Sequence, residues 1–222
     1  MLASSKGVII EYDFAAIDGA DILFDVTCRH LKALDNIELD RTLEARHLAG
    51  RPYEEGLASL FKVVRTKKTP QKTARDLADA FVAAVTEAVP SGITPAFRNF
   101  VSALAGRGVK VVIATRAAPE FDSAFDSVLG EGVSLFRETS VCYGYPRWDS
   151  WRRACVANGL KRASTAVVTG SGFGVKSALF AGMGSMAVQR GSVAYQDYSG
   201  ADIVVPVLSG VTAKRLLAFL RV

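Results

Sequence analysis

Five short apolar runs separated by stretches of helical spacing constrain this chain more than any other feature. They are residues 7–12, "VKVVIAT" at 109–115, "TAVVTG" at 165–170, "GSMAVQ" at 184–189 and "DIVVPV" at 202–207. Each is rich in Val and Ile and apolar on both faces, which is how strands read when helices cover both sides of a parallel sheet. Amphipathic stretches at 94–106, 117–129, 147–159, 174–182 and 211–220 supply those helices. Strand and helix in alternation predict an α/β fold, a Rossmann-like three-layer core around a parallel sheet.

Residues 20–88 break the alternation. Segments such as "ADILFDVTCRHLKAL" and "QKTARDLADAFVAAVTEAV" carry apolar residues at helical spacing, and none reads as a strand. The expectation is an all-helical cap, 20–88, inserted in a core made of 1–19 and 89–222. The chain returns through "PSGITP", with Thr94 as N-cap and Pro95 as the first helical residue. Small residues at the two crossings, Ala15, Gly19, Ser91 and Gly92, are candidate hinges.

Bulk properties exclude several classes. No window approaches the ~18 apolar residues of a membrane span, so no membrane partner is expected. The three cysteines, Cys28, Cys142 and Cys155, have no metal-ligand spacing and fit a reducing cytoplasm. A formal charge of +5 favours anionic partners only modestly. The basic segment 61–75 lacks interleaved aromatics, so it reads as a solvated face and a nucleic-acid partner is not expected. His30 and His47 have no partner at metal spacing. Trp148 and Trp151, among Arg147, Arg152 and Arg153, read either as helix packing or as an aromatic, basic rim. "VVTGSGFGVKS" has the wrong glycine spacing for a dinucleotide fingerprint or a P-loop. Its glycines and helix N-terminus still suit an anion.

The chemistry-bearing stretch is "IIEYDFAAID", where an apolar strand ends in Glu11 and Asp13, with Asp18 five residues on. "VVIATR" ends a second strand in Thr115 and Arg116. "YPRWDSWRRACVANGL" and "AVVTGSGFGVKSALFAGMGSMAV" follow in order. This series resembles the haloacid dehalogenase superfamily, in its phosphatase and phosphoglucomutase-like branch with a helical cap. The family has Asp-x-Asp-Gly-Thr after the first strand, Thr or Ser after the second, a Lys before a helix, and an acidic pair before the last motif's helix. Ser171, Gly174, Val175, Ala181, Gly182 and Met183 match that last motif.

By that resemblance Glu11 stands where the nucleophilic Asp is expected, Asp13 at the general acid/base, and Thr115 at the phosphoryl hydrogen-bond donor. Tyr145 replaces the Lys, Thr169 and Gly170 replace the metal-holding acids, and Phe14-Ala15 replaces Gly-Thr. Arg116, Tyr145, Gly170 and Ser171 are the ligand-contact candidates. Glu11's extra methylene displaces its oxygens, and a ~1 Å misplacement can cost about a hundredfold in rate. Loss of the Lys and of an oxygen ligand at 170 removes cationic stabilisation of phosphoryl transfer. The resemblance with these departures implies a hydrolase fold whose catalysis is impaired and which acts by binding a small molecule or a protein. The alternative is an active phosphomonoester hydrolase using Glu11 or Asp13. No cofactor is expected, and Mg²⁺ belongs only to that alternative. Glu11 can equally cap a helix or pair with Arg116. If neither Arg116 nor Lys176 turns inward, two facing carboxylates repel phosphate. Any ligand is then neutral or cationic, or Tyr145 and Phe14 close the crevice.

Overall fold

Val8, Ile9 and Ile10 are fully buried, as a central strand covered on both faces requires. The computed structural model describes residues 6–138, 143–189 and 196–222, so Cys142 lies outside the described residues. Chain order begins with β1 (Gly7–Glu11), α1 (Tyr12–Ala15), α2 (Gly19–Asp35), α3 (Arg41–Leu43), a π-helical turn (Glu44–Leu48), α4 (Tyr53–Val64), α5 (Pro70–Gly92) and α6 (Pro95–Ala105). It continues with β2 (Lys110–Thr115), a 3-10 helix (Pro119–Phe125), β3 (Val133–Arg137), α7 (Ser150–Ala157), β4 (Thr165–Thr169), α8 (Gly172–Ala181), β5 (Gly184–Val188), β6 (Ile203–Val205) and α9 (Gly210–Leu220). The six strands form one parallel sheet in the order β3-β2-β1-β4-β5-β6.

Strand alternation sorts the core into two layers. Val8, Ile10, Val111, Ile113 and Val168 face α6, α9 and the helices 19–92 in one continuous apolar cluster. Ile9, Val112, Ala114 and Val167 face the other way, onto Trp151, Ala154 and Cys155 of α7 and Ala178 and Ala181 of α8. The result is the expected three-layer α/β core. Caps agree with the sequence: Thr94 accepts from the Phe97 N–H at 3.1 Å, and Pro95 opens α6. Ser171 accepts from the Gly174 N–H at 2.9 Å, and α8 ends on Gly182 at φ 68°.

Two expectations need correction. The stretch 117–129 is not an α-helix but the 3-10 helix Pro119–Phe125 followed by turns. Its polar Asp122, Ser123 and Asp126 are weak helix formers. Only Phe125 is fully buried, while Phe121 is 38% exposed, so little packing holds a regular helix. The strand β3 was not expected at all. "VSLFR" is half-buried along its whole length at the sheet edge, so it lacks the doubly apolar signature of its neighbours.

The crossings out of and back into the sheet are packed closely. The Tyr12 hydroxyl donates to the Val89 carbonyl at 2.5 Å. A Cβ on Gly19 would lie 2.1 Å from the Asp13 carbonyl oxygen, and one on Gly92 would lie 2.4 Å from the Tyr12 hydroxyl. These glycines permit close approach of chain to chain. Among the described residues no single helix is long and apolar enough to cross a membrane.

Candidate functional site

Parallel strands deliver their last side chains to one edge of the sheet, and open α/β sheets bind ligands there. β1 delivers Glu11 and, two residues on in the first turn of α1, Asp13. β2 delivers Thr115 and Arg116, and β4 delivers Thr169, Gly170 and Ser171. Glu11, Asp13, Thr115, Thr169 and Ser171 are 0% exposed, and Arg116 is 8% exposed.

Asp13 is fully engaged. Its Oδ1 accepts from the Thr115 hydroxyl at 2.6 Å. Its Oδ2 accepts from the Arg116 backbone N–H at 2.8 Å and from Arg116 Nη1 at 3.1 Å. Burial lowers the Arg116 pKa, but Asp13, Glu11 and Glu138 raise it more, so the guanidinium stays charged. Arg116 therefore turns inward, the condition under which carboxylate repulsion no longer decides what binds. Lys176 points outward to Asp197 at 3.2 Å.

Glu11 is held differently. Its Oε2 accepts from the Thr169 hydroxyl and from the Ser171 hydroxyl at 3.2 Å. Its Oε1 is buried without a partner among the described residues. Burial, opposed first by Arg116, pushes its pKa up from 4.5 to about 7. Near neutral pH a large part of Glu11 is therefore an uncharged acid, a poor nucleophile.

Aromatic side chains close the site. Tyr145 is fully buried, stacks on Phe14 with ring centroids 5.0 Å apart, and meets Phe173 at 4.8 Å. Its hydroxyl accepts from Gln196 Nε2 at 2.9 Å. Gly170 presents its carbonyl to the Tyr198 hydroxyl at 3.0 Å. A Cβ at 170 would sit 1.8 Å from the Phe14 carbonyl oxygen. Backbone meets backbone there, so neither side can yield cheaply. Gly170→Ala is expected to lower stability by about 1–3 kcal/mol, read as a shift in urea midpoint at constant slope. A shift within error would show that α1 relaxes.

The site does not fit an octahedral divalent cation. Both Asp13 oxygens are occupied, the Arg116 cation lies against them, and Gly170 has neither a donor side chain nor room for one. Among the described residues no three His, Cys, Asp or Glu side chains converge.

Three contributors escaped the sequence reading. Glu138 is 5% exposed and accepts from Arg153 at 2.7 Å; it follows β3, so recognising that strand would have placed it at the same edge. Phe173 hides in a glycine-rich motif that drew attention to its glycines. Gln196 bridges Tyr145 and the Gly172 N–H, with no signal in local sequence. Trp151 is buried and donates to the Gly174 carbonyl at 3.0 Å, so it packs, whereas Trp148 is 58% exposed. His47 meets the Ser59 hydroxyl at 2.9 Å. His30 lines a cavity of about 440 Å³ with Lys67, Lys68 and Lys72, away from the sheet edge.

By sequence, no family model and no curated protein matches this chain. By fold, it is similar to β-phosphoglucomutase from Clostridium difficile, with a TM-score of 0.72 and 11% identity, covering 98% of this chain and 97% of that one. A hydrolase from Pseudomonas syringae aligns with a TM-score of 0.69 and 17% identity over 96% and 99% of the two chains. A phosphonoacetaldehyde hydrolase-like protein from Oleispira antarctica gives 0.69 and 16% over 98% and 94%.

Proposed function

From a chain with the haloacid dehalogenase fold, we propose a protein that works by binding a ligand and does not hydrolyse phosphoesters. One observation carries the reading: neither strand-end carboxylate is held as a free, solvated anion. Asp13 is neutralised by Arg116, and Glu11 is buried, raised to about 7, and tied to Thr169 and Ser171. Phosphoryl transfer rests on a free nucleophile and on cations placed around the developing charge. Here the cation paired with the acids, Arg116, already answers a carboxylate. The absent donor at 170 and the Phe14–Tyr145 stack support the same conclusion. In this reading residues 20–88 cap a core of 1–19 and 89–222, no cofactor takes part, the setting is cytoplasmic, and the partner is a small molecule or a protein.

A screen of many phosphomonoesters with Mg²⁺ tests it, run on wild type and Asp13→Asn. The expected result is turnover at the no-protein background for both. Turnover abolished by Asp13→Asn or Glu11→Gln would instead establish a hydrolase with an atypical site.

A further inference from the structure

Arg116 uses only part of its guanidinium. Nη1 donates to Asp13, while Nε and Nη2 are buried and have no partner among the described residues. Those two nitrogens carry the parallel N–H bonds of the guanidinium fork, the pair that fits the two oxygens of a planar oxyanion. A buried donor without an acceptor is costly, and two on one cation call for an occupant. Glu11 Oε1 and Glu138 Oε2 are likewise buried and unpartnered. Both carboxylates act electrostatically on Arg116, as do Asp13 and Tyr53. The Phe14 ring lies 5.8 Å from the guanidinium carbon.

Resting on the binding reading above, we propose that the free Nε–Nη2 edge of Arg116 takes the carboxylate of a small organic acid, with the Glu11 carboxylic acid donating from Oε1. Three observations favour a carboxylate over a phosphate. The edge offers two parallel donors, which a planar two-oxygen group fills completely. Asp13 and Glu138 flank the cation, so a single negative charge is tolerated better than a double one. The neighbouring cations are engaged elsewhere: Arg137, which also acts on Asp13, with Asp122, Arg153 with Glu138 and Asp149, and Lys176 with Asp197. The aromatic stack of Phe14, Tyr145 and Phe173 limits the acid to a short chain and must part to admit it.

The site then depends on pH through Glu11. The groups facing Glu11 are Asp13 from α1, Arg116 from the end of β2, and Thr169 and Ser171 from the β4–α8 turn. Of these only Arg116 and Asp13 carry charge, and Asp13 is already paired. When Glu11 ionises it ceases to donate and competes for Arg116 itself, so carboxylate binding weakens as pH rises through neutrality.

The test follows the Arg116 Nε–Hε signal by nitrogen-15 NMR in the full chain, assigned by its loss in Arg116→Lys. Sodium acetate, inorganic phosphate and sodium chloride are titrated at constant ionic strength, at about pH 6 and about pH 8.5. Acetate should shift the signal saturably, phosphate and chloride should not, and half-saturation should rise roughly tenfold at the higher pH. Glu11→Gln should still bind acetate and lose that pH dependence. No saturable acetate shift, phosphate binding as tight as acetate, or pH-independent binding in wild type would each overturn the proposal. Phosphatase turnover together with saturable acetate binding would reject the non-hydrolytic reading and leave the carboxylate site standing. Absence of both turnover and acetate binding would do the reverse.

Discussion

Arg116→Met is expected to destabilise the protein by about 3–5 kcal/mol, the usual effect of stranding one partner of a buried ion pair. Asp13 is 0% exposed, and the Arg116 side chain is 5% exposed. Removing the guanidinium leaves a carboxylate with the Thr115 hydroxyl and one backbone N–H, and no ion-pair partner among the described residues. Asp13→Asn alone strands the cation instead, with Glu11 the remaining carboxylate that acts on it most strongly. Pairing the two changes removes both charges together, and replacing a buried pair is often close to neutral. The double variant should therefore recover most of the single variant's loss, giving a coupling energy above about 2 kcal/mol. Urea unfolding of the four proteins at neutral pH measures it. Additive losses would mean that the pair is solvated and that the site is open to water.

That pair shows where sequence reading succeeds and where it stops. Four of the five apolar runs specified the central strands β1, β2, β4 and β5 because burial on both faces leaves a composition signal in single residues, while the fifth gave β6, an edge strand whose Val204 is 43% exposed. β3 leaves none: its Ser134 and Arg137 are tolerated because an edge strand is half solvated. The residues of the site were legible as types at strand ends, since the sheet brings Glu11, Thr115 and Thr169 to one edge whatever their chemistry. Their electrostatic state was not. Whether Arg116 points to solvent or to Asp13 depends on a rotamer set by the packing of α1 on β2, which no local pattern encodes. The same holds for Gly170. Its lack of a donor is plain in the sequence. That no side chain could fit there follows only from the position of the Phe14 carbonyl, 156 residues away in sequence and 1.8 Å from the Cβ site.

Glu11 supplies the second large effect, a loss of stability as pH rises. Its folded pKa of about 7 lies above the ordinary 4.5, chiefly through burial. Below 4.5 both folded and unfolded chains hold the proton, and the contribution is fully present. Between 4.5 and about 7 the unfolded chain releases its proton while the folded chain keeps it, so unfolding is progressively favoured. Above about 7 both are ionised and the loss is complete, amounting to about 3 kcal/mol at ~1.4 kcal/mol per pKa unit. Glu11→Gln removes this dependence. A glutamine keeps an oxygen to accept from Thr169 and Ser171 and places a neutral amide where Oε1 has no partner. The variant should match wild type near pH 5 and exceed it in stability at about pH 8.5. Urea midpoints across that range decide the matter: parallel profiles for the two proteins would mean that Glu11 is solvated and ionises at its ordinary value.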